Sequence, residues 1–265
     1  MIIRKTPEEV DRIAAAGDVL ARCLGLLMRT ARPGCTTADL DEAAEGFIRS
    51  HGAEPAFKGY RGFPGSICTS PNSMVVHGIP GRYKLSRGDI LSIDVGVVLD
   101  DWVADAAVTI PIGPISPVAK RLLATTRAAL FLALEQCRPG RHLGDVSSAV
   151  QQRVEGDGFS VIRSLVGHGI GRDMHEDPQI PNFGEPGSGD ELEEGMVLAV
   201  EPMVNAGGHR IRIADDQWSV FSQDGSLAAH FEHTVAVTAE GPRILTPWHD
   251  LDEAGSGRES VSRSA

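Results

Sequence analysis

Residues 84–94 read KLSRGDILSID and residues 191–201 read ELEEGMVLAVE. Both are glycine-led apolar runs that close on an acid. Leu85, Gly88, Ile90, Leu91 and Ile93 align with Leu192, Gly195, Val197, Leu198 and Val200, so Asp94 and Glu201 stand as counterparts 107 positions apart. A second pair of segments repeats at nearly the same offset. Arg32-Pro33-Gly34 matches Arg138-Pro139-Gly140, and Asp39, Leu40, Ala43, Ile48 and Gly52 then meet Asp145, Val146, Ala149, Val154 and Gly158, 106 positions on. Chance accounts for either match alone, but two agreeing offsets point to duplication. The predicted fold is α/β in the mixed α+β sense: two similar halves, about 7–115 and 116–247, each giving helices and an antiparallel strand pair to one catalytic domain spanning 1–250. Approximate two-fold symmetry places the site on its axis, built from equivalent carboxylates.

Local signals mark the elements. Thr6 caps a first helix, with Pro7 where a missing N–H costs nothing and Glu9 completing a capping box; Arg32-Pro33-Gly34 ends it. A second helix is predicted from Thr37 to His51, stopped by Gly52, a third from Ser116-Pro117 to Cys137, and a fourth from Gly144 to Glu155. Asp89–Leu99 and Trp102–Ile110 read as strands joined through Asp100-Asp101 in a hairpin. The segment 251–265, rich in Ser, Gly and Arg, has nothing to bury and is expected to be disordered.

The chain of 265 residues, 42% hydrophobic and 23% charged, is long enough to bury a sizeable core. Its formal charge of −11 argues against partners whose affinity comes from their own negative charge, so no direct DNA binding is expected. The N-terminus lacks the long apolar core of a secretion signal and no stretch spans a bilayer, which predicts no membrane association and a cytoplasmic location. Cys23, Cys35, Cys68 and Cys137 form no CxxC pair and suit reduced thiols, with Cys23 and Cys137 read as helix core.

The chemistry concentrates in acids set among apolar strand residues. If Leu99 faces Trp102, Asp94 faces Ala107 and Asp105 lies on the same face, one diagonal step away. Glu201 in LAVEPMVN and Glu232 in AHFEHTVAVT repeat the arrangement in the second half. Four inward acids repel one another unless a cation neutralises them. No Lys or Arg lies inside these segments, so metal ions are the expected counter-charge. His168, between two glycines in VGHGIGRDMHEDP, sits on a loop or strand end where backbone can approach a bound group closely, and is a candidate fifth ligand. Carboxylates with one imidazole suit paired Fe, Mn, Co or Zn ions, which activate water and polarise the bond it attacks.

The segments VVHGIP (75–80), SIDVG (92–96), WVADAAVT (102–109), GHGIGRDMHEDP (167–178), AVEPMVNAGG (199–208) and EHTVAVT (232–238) resemble the signature blocks of bacterial type I methionine aminopeptidases, in the same order and with similar spacing. The likeness runs from about Ile3 to Pro247 and implies the pita-bread fold, whose two pseudo-symmetric halves surround a dinuclear metal site. By resemblance Asp94, Asp105, His168, Glu201 and Glu232 ligate two divalent metals, with Asp105 and Glu232 bridging. The resemblance further implies that Glu201 handles the proton of the attacking metal-bridging hydroxide. His77 and His175 then contact the scissile peptide and stabilise its tetrahedral intermediate. Tyr60, Phe63, Cys68, Met174 and Trp218 match the lining of a methionine pocket, where soft and aromatic groups suit a thioether.

Some positions depart from the family pattern: Phe57 stands where a smaller residue, often Cys, is common, Phe63 where Tyr is common, and Ala106 where Thr or Ser is usual. The loop Gly81 to Arg87 is one residue shorter than in many relatives. The implied activity is removal of initiator methionine from nascent chains, with a small second residue preferred. The expected partners are N-terminal methionyl peptides, and the protein is expected to be a monomer; ribosome association stays open. Two other readings share the fold: a proline-specific aminopeptidase or dipeptidase, which usually carries a further N-terminal domain, and a non-catalytic binding module that has lost ligands.

Overall fold

Thr6 accepts the backbone N–H of Glu9, and the Glu9 carboxylate accepts that of Thr6, so the capping box opens α1 (Pro7–Thr30) as the sequence predicts. Helix α2 (Thr37–Ser50) begins with the same device, built from Thr36 and Asp39. The computed structural model describes residues 1–249, so the expectation for 251–265 lies outside the described residues.

Strands β1 (Glu54–Pro55), β2 (Cys68–Pro71) and β3 (Met74–Val76) lead into the long pair β4 (Ile90–Leu99) and β5 (Trp102–Pro111). Asp100 and Asp101 both take positive φ, 49° and 65°, the type I′ turn whose twist matches a two-residue hairpin. Leu99 accordingly pairs with Trp102 and Asp94 with Ala107, the register expected from sequence. Strands β1 and β2 both pair with the other edge of β4.

The second half opens with α3 (Pro117–Leu134) and α4 (Leu143–Gly156). Helix α3 stops three residues before the predicted Cys137. Residues 136 and 137 instead donate to carbonyls three back in a tight turn, as the approach to Pro139 disfavours a helical Arg138. Cys137 is buried, but in that turn rather than in the helix. Strands β6 (Ser160–Val161), β7 (Val166–Gly169), β8 (Glu176–Pro181), β9 (Val197–Val200), β10 (Met203–Asn205), β11 (Ile211–Ile213), β12 (Val220–Ser222), β13 (Ala228–His230), β14 (His233–Thr238) and β15 (Gly241–Ile244) follow. They form a five-stranded sheet in the order β15-β14-β9-β7-β8, a sheet β13-β10-β6, and a sheet β11-β12-β3 that draws on both halves.

The repeat has a hydrogen-bonded counterpart in the structure. Gly34 N donates to Leu85 O and Leu85 N to Cys35 O; Gly140 N donates to Leu192 O and Leu192 N to Arg141 O. Bridges Thr36 to Lys84 and His142 to Glu191 are equivalent in the same way. Each half thus ties the start of its second helix to the turn that launches its acid-bearing strand. The architecture is the pita-bread arrangement, with two pseudo-symmetric halves and helices outside antiparallel sheets.

Candidate metal and peptide-binding site

Four sheet relationships bring the acids together. Cys68 pairs with Asp94 across β2 and β4, so both side chains rise from one face, and Asp105 joins them diagonally from β5. His168 pairs with Ala199, which puts it diagonal to Glu201, two residues further on. His233 pairs with Val200, so one step beyond it Glu232 stands across from Glu201. The two halves are joined where residues 230–234 run beside β5. Thr109 Oγ1 accepts from His230 N and donates to His230 O, each at 2.8 Å. Glu232 N donates to Ala107 O at 2.9 Å. Thr234 Oγ1 accepts from Asp105 N at 3.0 Å and donates to Asp105 O at 2.7 Å. Two threonine hydroxyls therefore bracket the place where Asp105 meets Glu232, and Trp248 Nε1 holds Glu232 O from behind at 2.9 Å.

The glycines flanking His168 serve the neighbouring strands rather than a bound group. A Cβ on Gly167 would stand 2.4 Å from Ala199 O, and one on Gly169 would stand 2.0 Å from Asp177 O. Only glycine allows the backbones on either side to come that close.

Asp94, Asp105, His168, Glu201 and Glu232 all line one cavity of about 160 Å³. Donor atoms of Asp105, His168 and Glu232 lie within 4.8 Å of one another, close enough to hold an ion together. His168 Nε2 is 3.6 Å from Glu201 Oε1, and its Nδ1 lies 2.9 Å from Gly169 O, which fixes the ring. Burial, then Asp105 and Glu201, push the Asp94 carboxyl well up. Burial lifts Asp105 to about 7, and burial with neighbouring acids raises Glu201 and Glu232. Asp94 Oδ1, Asp105 Oδ1 and Glu232 Oε1 are buried with no protein partner. Oxygen atoms so placed cost several kcal/mol as anions unless a cation meets them. Among the described residues that line the cavity the only Lys or Arg is Arg61, which sits over the Tyr60 ring. The donor set fits divalent metal.

The histidines beside the acids are kept neutral. His77 follows β3 with φ of 59°, a left-handed conformation that costs a non-glycine residue about 1 kcal/mol or more. Burial and the nearby His175 lower it to about 4. Burial and Arg61 lower His175, whose Nδ1 lies 2.8 Å from Tyr60 Oη. The loop carrying His175 is braced by the buried pair of Lys5 Nζ and Glu176 Oε2 at 2.6 Å.

The model of metallopeptidase family M24 matches residues 11–239. The chain belongs to that family. It is 51% identical over 246 residues to the methionine aminopeptidase of Clostridium perfringens, covering 93% of this chain and 99% of the relative. Among solved structures it resembles the methionine aminopeptidase of Rickettsia prowazekii, with a TM-score of 0.91, 42% identity and coverage of 93% and 100% of the two chains. It resembles that of Thermotoga maritima equally, with a TM-score of 0.91, 44% identity and coverage of 93% and 99%.

Tyr60, Phe63, Cys68 and Trp218 line the cavity, with Trp218 meeting Phe63 edge-on at 5.1 Å. Met174 is not among the residues that line it. It packs beside Phe57 over Gly96, on the strand face that carries Asp94, where the missing side chain leaves room: a Cβ on Gly96 would lie 2.8 Å from Met174 Cε and 2.7 Å from Phe57 Cε1. Phe57 itself reaches the cavity, so the bulk noted at that position becomes wall. Arg61 and His230 also line it and were not foreseen. Arg61 carries no sequence signal that singles it out. His230 does, standing two residues before Glu232 in a strand-like run, where alternate residues share a face. The wall segment itself is anchored to α2, because Glu45 Oε2 accepts from Lys58 Nζ and Ser66 Oγ, and Asp41 Oδ1 from the N–H groups of Ser66 and Ile67. No helix among the described residues is long and apolar enough to cross a membrane.

Proposed function

We infer that the protein removes the N-terminal methionine from peptides and nascent chains, preferring a small second residue. The observation that carries this reading is the convergence of five metal-capable side chains with His77 and His175 beside a small cavity walled by Phe57, Tyr60, Phe63, Cys68 and Trp218. Near-complete coverage of relatives named methionine aminopeptidase supports it.

Asp94, Asp105, His168, Glu201 and Glu232 would hold two divalent ions of Fe, Mn, Co or Zn. When bound, such ions lower the pKa of water toward neutrality and polarise the carbonyl under attack. The chain supplies the rest. Surplus acid receives the cationic α-amino group of the substrate. Glu201 takes the proton of the attacking water and passes it to the departing amine. Tyr60 Oη–H donating to His175 Nδ1 leaves Nε2–H free to donate to the oxygen that gains charge, and neutral His77 adds a second donor. The aromatic and thiol wall takes the methionine side chain. A monomer of one catalytic domain, residues 1–250, is sufficient for these roles. The thiols Cys23, Cys35, Cys68 and Cys137 are all free, which suits the reducing cytoplasm, where new chains emerge.

The test is turnover of Met-Ala-Ser against Xaa-Pro peptides after chelation and readdition of each metal in turn. Methionyl turnover should return with metal, and Glu201→Gln should bind metal yet lose nearly all of it. Faster cleavage of Xaa-Pro peptides, or activity indifferent to chelation, would overturn the reading.

A further inference from the structure

His230 is 2% exposed, and neither ring nitrogen makes a hydrogen bond within the described structure. Buried imidazoles are normally hydrogen-bonded on at least one side, so this one calls for a group from outside the chain. Its place is not accidental. The Thr109 hydroxyl holds both the N–H and the carbonyl of His230, which fixes the backbone from which the ring enters the cavity.

Its neighbours are two of the acids. His230 Nε2 lies 3.7 Å from Glu201 Oε2 and 3.8 Å from Glu232 Oε2. These separations exceed those of N–H···O hydrogen bonds, which peak near 2.9–3.0 Å. They match instead the spacing that His168 Nε2 keeps, 3.6 Å from Glu201 Oε1 and 4.0 Å from Asp105 Oδ2. Donors bound to one ion by bonds of about 2.0–2.2 Å stand roughly 3–4 Å apart. The Glu201 carboxylate is thus straddled by two imidazoles, one on each oxygen.

We propose that His230 is a sixth metal-binding residue, bringing a second imidazole to the Glu201 and Glu232 side of the site. The inference rests on the five-residue metal site inferred above and deepens it. A second nitrogen donor makes the set softer, favouring Fe, Co or Zn over Mn.

Pulsed EPR of the full-length protein loaded with manganese(II) counts the imidazole nitrogens at the ion. Two are expected in the wild type and one in His230→Gln, a variant that keeps a polar side chain of similar reach. Calorimetric titration should show cobalt(II) affinity falling about tenfold or more in His230→Gln, with a smaller loss for manganese(II). A single imidazole in the wild type, or an equal count in both proteins, overturns the role of His230 while leaving the five-residue site standing. Failure of the wild type to bind manganese(II) stoichiometrically overturns that site and this inference together. Should His230→Gln not fold, the wild-type count decides by itself.

Discussion

Gly167 and Gly169 place His168 by what they lack. The strand they belong to is squeezed between two others whose carbonyls come within 2.4 Å and 2.0 Å of any added Cβ. Gly169→Ala should therefore cost about 3 kcal/mol, since the clash is with backbone that cannot rotate away. Gly46→Ala gives the opposite sign: it lies exposed in the middle of α2 with nothing within 4 Å of a Cβ, and alanine there should add about 0.5–1 kcal/mol. Urea unfolding of the two variants measures both, and equal losses would refute the close-approach argument. Read from the sequence, the glycines beside His168 mean close approach to a bound group; the structure instead assigns that approach to the backbones of residues 176–181 and 197–200, far away along the chain.

At the scale of elements, the helices were the most legible feature, because capping boxes and proline are local signals that need no tertiary partner. The hairpin register was legible too, since a two-residue turn leaves one way for Leu99 to meet Trp102. The junction of β5 with residues 230–234 was not. Thr109 and Thr234 look like ordinary β-branched strand residues, and their hydroxyls acquire a purpose only once strands more than 120 positions apart lie side by side. Thr234→Val keeps the shape and removes the bond to both the N–H and the carbonyl of Asp105. It should cost about 2 kcal/mol, the penalty for buried polar groups left unpaired, and weaken metal binding with it. Thermal unfolding and metal titration of Thr234→Val would expose an error here if both matched the wild type.

For the molecule as a whole, the metal is predicted to be part of the stability. The buried acids repel in its absence, and an ion that binds only the folded state stabilises by mass action. At about one hundred times its Kd the gain is about 2.7 kcal/mol, or roughly 5–10 °C in Tm for a chain of this size. Scanning calorimetry before and after chelation, with readdition, checks it; an unchanged Tm would contradict a metal held by Asp94, Asp105, His168, Glu201 and Glu232. By itself the sequence indicated the duplicated architecture, the helix starts and the hairpin register, because periodicity, capping and an internal offset are written in order along one chain; the proposed metal residues Asp94, Asp105, His168, Glu201 and Glu232 came from acids set among apolar strand residues and from the likeness to the signature blocks of a known family. Tertiary structure decided which side chains wall the cavity, setting Met174 over Gly96 outside the lining and bringing Phe57 and Arg61 to it. Those outcomes depend on distances between segments far apart in sequence, and packing between such segments leaves no periodic trace for a linear reading to find.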